Sequence, residues 1–173
     1  MAIPANYKVS ETLRDGRVIL VRALHPEDRD AMLAAIERTS GKSMFRRFFG
    51  ARRQFSEAEI RFFLNVDFVD HVAIVAEIDE DGKPTIAGGA RFIKLDAQKA
   101  EVAFAVIDTY QGRGLGTILM RHIASLARET GLHELVAEVL PENTPMLKVM
   151  DKCGLPMATS RNSGVVHVTL ALG

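Results

Sequence analysis

The stretch Tyr110–Met120, YQGRGLGTILM, decides how this chain reads. Glycines stand at alternate positions, Gly112, Gly114 and Gly116, and an apolar helical pattern begins directly after them. A strand-like run, AEVAFAVID from Ala100 to Asp108, comes just before. Glycine permits tight turns and a close approach of the backbone. A helix start leaves several N–H groups without partners, at the positive end of the helix dipole. Strand, glycine turn and helix together make a place where a pyrophosphate can sit. Arg113 adds a cation there. The plainer reading is a glycine-rich turn that caps a helix. Spacing alone does not separate the two.

Two nucleotide motifs match the stretch only weakly. A phosphate-binding P-loop needs a lysine after its glycines, and none follows here. A dinucleotide fingerprint needs GxGxxG at the first βα turn. Gly112 and Gly114 match its first two glycines, but position 117 is Thr117, and the stretch arrives after about five expected strands.

Outward from this point the chain alternates between two periods. Toward the C-terminus, Leu115, Ile118, Leu119, Ile123 and Leu126 form one face of a helix. HELVAEVL then reads as a strand, NTPMLKVMDKCG as a helix and VVHVTLAL as a final strand. Toward the N-terminus, HVAIVAEID and TIAGGARFIKL read as strands joined at Asp81-Gly82. SEAEIRFFLN opens with Ser56 and Glu59 in capping-box spacing. HPEDRDAMLAAIERTSG reads as a helix with Pro26 in its first turn and Gly41 beyond its end. Two strand-like runs meet at Asp15-Gly16, a hairpin signal. Meanders mixed with βα crossovers predict one α/β domain over residues 1–173, a mixed, mostly antiparallel sheet of six to seven strands with about four helices on its faces.

Composition limits the function. Lys plus Arg and Asp plus Glu number 22 each, so the formal net charge is zero. No global field draws the chain to nucleic acid or an anionic membrane. One cysteine allows no internal disulfide and suits a reducing compartment. MAIPANYKVS lacks the blocks of a signal peptide, and no apolar run is long enough to span a bilayer. The expectation is a soluble cytoplasmic protein. The five histidines show no ligand spacing, and one cysteine builds no zinc cage, so no metal is expected.

The glycine stretch resembles a known signature. Gln111–Gly116, QGRGLG, fits the Q/R-x-x-G-x-G/A pattern of the GNAT family of N-acetyltransferases. AEVAFAVID looks like the family's preceding strand, and ENTPMLKVMDKCGL looks like its second cofactor motif. LRDGRVILVRALHPEDRDAM, MFRRFF and VLPENTPML are most similar to the acetyltransferase domain of bacterial Pat-type protein lysine acetyltransferases. The likeness follows element order over about residues 17–173 and is specific over 100–155.

The resemblance implies a GNAT fold, acetyl-CoA as co-substrate, and transfer of acetyl to an amine, with protein lysine as acceptor. A small amine such as an amino acid, polyamine or aminoglycoside is the alternative. An inactive acyl-CoA-binding sensor is a third reading, from outside enzymology. The implied cofactor residues are Gln111, Gly112, Arg113, Gly114, Leu115, Gly116 and Thr117 around the pyrophosphate. Val106 and Ile107 are implied at the thioester carbonyl through their backbone, and Asn143 on the cofactor side. Asn143 also suits a helix cap.

Glu101 is the candidate base. It is the only ionisable residue between Lys99 and Asp108, in an apolar strand. A solvated glutamate at a strand start is the plainer reading. The match of AEVAF to the strand that carries the family's general base favours catalysis, directly or through a water. Met150 departs from the family, where many members carry a tyrosine acid. A thiol titrates near 8.5, so departure as thiolate at neutral pH costs only about 2 kcal/mol. Cys153 is a weak substitute. Arg46, Arg47, Arg52 and Arg53, interleaved with phenylalanines, would suit an acidic protein surface or a carboxylate-bearing substrate, or merely stay solvated.

Overall fold

The structure is a computed structural model, and it describes residues 6–38, 56–142 and 144–173. The expectations for Gly41, for the four arginines between Arg46 and Arg53, and for Asn143 lie outside the described residues.

The Asp15-Gly16 signal forms its hairpin. Strands β1 (Lys8–Thr12) and β2 (Val18–Ala23) pair antiparallel, and Gly16 takes φ +89° in the turn. Pro26–Asp28 makes one 3-10 turn before α1 (Arg29–Glu37). Helix α2 (Glu57–Leu64) starts at the foreseen capping box: Ser56 accepts from the Glu59 amide, and Glu59 accepts from the Ser56 amide. Such a cap contributes about 1 kcal/mol. The meander follows, as β3 (His71–Glu80), β4 (Lys83–Lys94) and β5 (Lys99–Val106). Next come α3 (Leu115–Glu129), β6 (Glu134–Val139), α4 (Thr144–Lys152), β7 (Met157–Asn162) and β8 (Val165–Ala171).

The eight strands form one sheet in the order β1-β2-β3-β4-β5-β6-β8-β7. That is one strand above the six to seven expected. The additional strand is β7, whose sequence MATSRN is exposed along almost its whole length. Among the described residues it lies at the sheet edge with only β8 beside it, so it needs no apolar face to hold it.

Alternation along the strands divides the core in two. Helices α3 and α4 cover one face. There Leu119, Met120 and Ile123 of α3 and Met150 of α4 meet Phe92, Val102, Leu135 and Leu170 of the sheet, each at most 0% exposed. Each such side chain contributes about 1.5–3 kcal/mol by leaving water. The other face carries α1 and α2, with Met32, Ile36, Ile60 and Phe63 packed on Leu24, Ala73, Val75 and Ile86.

Two irregularities prepare a site. Between β3 and β4 the register shifts at Ala76 and Glu77 of β3, which leaves Ala87 of β4 as a bulge. The adjoining Gly88 has no room for a side chain: a Cβ there would stand 2.8 Å from the Ala105 carbonyl oxygen. On the other side of β5 the sheet splits. Strands β5 and β6 pair in parallel only from Lys99 to Glu101, after which β6 continues against β8 alone.

Candidate active site

The split has a direct consequence for the backbone of β5. The Ile107 N–H donates to the Ala87 carbonyl at 2.9 Å, so that pair is a hydrogen-bonded rung of the β4–β5 ladder. Bonded and non-bonded pairs alternate in an antiparallel ladder. Val106, opposite Gly88, is therefore a non-bonded position. Its N–H points away from β4, to the side that β6 has left. Of the two amides that the resemblance offered for a carbonyl, Ile107 is committed to β4 and Val106 faces the opening.

A cleft of 210 Å3 lies at this point. Its walls include Val106, Gln111, Gly112, Gly114, Leu115, Gly116 and Thr117, so most of the glycine stretch belongs to one concavity. The three glycines serve different physical needs. Gly112 and Gly114 take φ +78° and +87°, a region that residues with a side chain avoid. Gly116 is helical and instead allows close packing of α3 on α4. A Cβ at Gly116 would stand 3.1 Å from a Val149 methyl and 3.7 Å from the Phe104 ring.

Gly114 is the N-cap of α3, and no side chain caps the helix. No acidic residue stands in the first turn, so nothing there competes with an anion for the free amides and the positive dipole end. Gln111 fixes the turn to the strand, donating through Nε2 to the Val106 carbonyl at 3.1 Å and to Asp108 at 3.2 Å.

Arg113 departs from its expected position. It does not line the cleft. Its Nη1 bonds Asp15 Oδ2 at 2.7 Å, and its guanidinium lies 5.7 Å from the centre of the Tyr110 ring. The β1–β2 turn thus clips onto the glycine loop, and a bond from the Arg14 amide to the Arg113 carbonyl at 3.4 Å joins the same contact. The Asp15 carboxyl is held below its ordinary range, first by the Arg17 amide and then by Arg113. Tyr110 is buried between Arg17 and Arg113, and its hydroxyl donates to Glu80.

Arg14, from that hairpin turn, lines the cleft where Arg113 does not. From the opposite wall α4 contributes Lys148 and Lys152. These three cations come from distant parts of the chain, and no motif in the sequence marks them. Met146, Val149 and Phe104 complete an apolar stretch of wall.

Glu101 is 3% exposed. It sits opposite Ile93 on β4 and Val136 on β6, at the last paired rung before the split. Alternation puts it with Ala103 and Ala105 on the α1–α2 face, away from α3 and α4. On that same face Arg91 donates to the Phe63 carbonyl at 3.0 Å and to His71 Nε2 at 2.9 Å. Arginine has no acceptor, so His71 receives this bond as a neutral imidazole with its proton on Nδ1. Burial and the adjacent Arg91 push the His71 pKa down to about 4. Burial lowers Arg91 to about 10, which leaves it charged at neutral pH.

Met150 is 0% exposed and packs in the core, so the position of the family's tyrosine acid points away from solvent here. The Cys153 thiol donates to the Met150 carbonyl at 2.9 Å, within its own helix end. Among the described residues no cluster of His, Cys, Asp or Glu could hold a metal, and no helix is long and apolar enough to cross a membrane.

A sheet split beside a glycine-rich helix start agrees with what the sequence of known proteins says. Residues 39–155 match the acetyltransferase (GNAT) family. The chain belongs to that family. As a GNAT acetyltransferase it uses acetyl-CoA and transfers the acetyl group to an amine. It is 34% identical to an acetyltransferase of Pseudomonas aeruginosa over 126 residues, 72% of this chain and 68% of that one. It is 33% identical to the acetyltransferase Pat of Mycolicibacterium smegmatis over 144 residues, 82% of this chain but only 42% of Pat. The crystal structure of the GNAT domain of S. lividans PAT superposes with a TM-score of 0.84 at 33% identity, covering 98% of this chain and 99% of that domain. The GNAT fold expected from the glycine signature is therefore the fold present.

Proposed function

We propose that this acetyltransferase modifies lysine side chains of proteins, with Glu101 as the base and the Gln111–Thr117 loop as the pyrophosphate cradle. The observation that carries the acceptor is the likeness to the S. lividans PAT domain over nearly all of both chains. The resemblance to Pat-type enzymes in LRDGRVILVRALHPEDRDAM supports the same acceptor.

Each residue has a task in this scheme. The free amides of Leu115, Gly116 and Thr117 receive the pyrophosphate, and Arg14, Lys148 and Lys152 surround its negative charge. The Val106 N–H donates to the thioester carbonyl oxygen and stabilises the charge that grows there as the amine attacks. Glu101, on the opposite face of the same strand, takes a proton from the substrate ammonium, directly or through a water, and the neutral amine that results attacks. The C–N bond forms, the C–S bond breaks, and the thiolate leaves without a protein acid.

The deciding experiment incubates the protein with radiolabelled acetyl-CoA, a panel of purified acyl-CoA synthetases and a panel of small amines. Label on a synthetase lysine is the expected outcome. Label confined to amino acids, polyamines or aminoglycosides would replace the acceptor class and keep the enzyme. Binding of acetyl-CoA without transfer to any acceptor would favour a sensor domain.

A further inference from the structure

The glycine loop is entered through a turn that is held by a carboxylate 30 residues earlier in the chain. Asp81 and Gly82 take φ +51° and +85°, the positive values of a tight two-residue hairpin turn. That turn fixes where β3 ends, and Glu80 is its last residue, opposite Lys83. Glu80 follows Ile78 by two positions, so alternation puts it on the face that α3 and α4 cover. Its carboxylate accepts two bonds from Arg38, Nη1 to Oε1 at 2.8 Å and Nη2 to Oε2 at 3.1 Å. Oε2 also accepts from the Tyr110 hydroxyl.

These partners come from different parts of the fold. Arg38 is the C-cap of α1, and its own carbonyl accepts from the Asp108 amide at 3.0 Å. Tyr110 ends the short turn Asp108–Tyr110, directly before Gln111. The Arg17 guanidinium lies 5.2 Å from the centre of its buried ring, and Arg113 lies 5.7 Å away. The stack holds the ring, and the bond to Glu80 fixes its direction. Arg38 first, and then Tyr110, hold the Glu80 carboxyl at about 2, so it is ionised at neutral pH. Burial and the facing carboxylate raise the Tyr110 phenol above its ordinary value, so the tyrosine keeps its proton and donates it. A hydrogen bond to an ionised acceptor is about twice as strong as a neutral one. Tyr110 lines the cofactor cleft and Glu80 does not.

We propose that Glu80 is a positioning residue for the co-substrate: through the Tyr110 hydroxyl it holds the glycine loop in the form that takes the pyrophosphate. This rests on the reading of Gln111–Thr117 as the pyrophosphate cradle. Glu80 touches no part of acetyl-CoA. It acts on the share of molecules whose loop is ready to bind, and apparent affinity falls in proportion to that share.

The test measures affinity by calorimetry for two ligands, acetyl-CoA and S-acetylpantetheine, which keeps the thioester but has no pyrophosphate. Loss of one charged hydrogen bond corresponds to a factor of about ten or more. Glu80→Ala and Tyr110→Phe should each bind acetyl-CoA about tenfold more weakly than the wild type, with the affinity for S-acetylpantetheine unchanged. The double variant should be no weaker than Glu80→Ala, because both changes remove the same bond. Where transfer is measured, KM for acetyl-CoA should rise with kcat kept, the pattern of an interaction made equally in ground and transition state. The proposal is overturned if Tyr110→Phe keeps wild-type affinity for acetyl-CoA, if both ligands weaken by the same factor, or if the two losses multiply in the double variant. Tyr110→Phe keeps the ring and its stack, so it decides the matter should Glu80→Ala fail to fold. A wild type that binds both ligands equally would sink the cradle reading and the proposal together, whereas a wild-type preference that survives in the variants sinks the proposal alone.

Discussion

Replacing Gly112 and Gly114 separately by alanine distinguishes the backbone role of the glycine loop from its electrostatic role. Both residues have positive φ, +78° and +87°. An alanine there pays a left-handed cost of about 1–2 kcal/mol, partly offset by the lower entropy of its unfolded chain. With a net cost of about 1 kcal/mol, each variant should melt about 2–4 °C below the wild type. Their surroundings differ. A Cβ at Gly112 meets nothing within 4 Å, whereas one at Gly114 stands 3.2 Å from Arg14 Nε and 3.6 Å from its Cγ. Arg14 is an exposed side chain, so it gives way rather than the backbone. A hydrogen bond to a charged group contributes about 1.5–3 kcal/mol. If Arg14 faces a phosphate, Gly114→Ala should weaken acetyl-CoA binding by at least about tenfold, while Gly112→Ala should weaken it much less. Arg14→Gln should reproduce the Gly114→Ala loss without its thermal cost, and with a shallower salt dependence. Calorimetry at two salt concentrations and differential scanning measure all four proteins. Equal affinity losses in the two glycine variants, or wild-type affinity in Arg14→Gln, would refute the electrostatic role of the hairpin turn.

Two further predictions concern titratable groups. Glu101→Gln should bind acetyl-CoA normally but transfer about 10²–10⁴ times more slowly at pH 7, with the deficit shrinking as pH rises and solvent deprotonates the amine; equal pH–rate profiles would remove Glu101 from the mechanism. The depressed pKa of His71, about 4 against an ordinary 6.5, means that the unfolded chain binds the extra proton between those values. Stability from this group is then complete above pH 6.5 and lost as the pH falls toward 4, amounting to about 2 kcal/mol between pH 7 and pH 5. Urea unfolding at the two pH values should yield a smaller difference for His71→Gln, and an identical difference would mean that His71 is not held neutral.

Local features of this protein were readable from the chain because they depend on neighbours in sequence. The Asp15-Gly16 hairpin, the reciprocal cap of Ser56 and Glu59 and the stripe of α3 each arise from backbone conformation and periodicity within a few residues. The glycine stretch belongs with them. Strand, turn and helix are contiguous, so the helix start that faces the cleft could be located before any packing was known. Glu101 was visible for the same reason, as a carboxylate whose neighbours in the strand are apolar.

What the chain alone left open depends on groups that meet across long separations. Strand β7 has no apolar alternation, and only pairing with β8 at the edge makes it a strand. The sequence put Arg113 in the loop as the cation for phosphate, yet a partner 98 residues away, Asp15, draws it to the hairpin, and Arg14 of that hairpin lines the cleft. Gly116 resembles its two neighbours in sequence but is needed for contact with Val149, which only the packing of α3 on α4 brings near. The split between β5 and β6 has no residue signal at all. It follows from β6 pairing with β8 past the last β5 rung, and from the ladder alternation that commits the Ile107 amide to β4 and turns the Val106 amide outward. Sequence determined which chemical groups this protein has and their local conformation. Tertiary structure decided which of them share a space, because a sheet joins residues by register across strands and not by order along the chain.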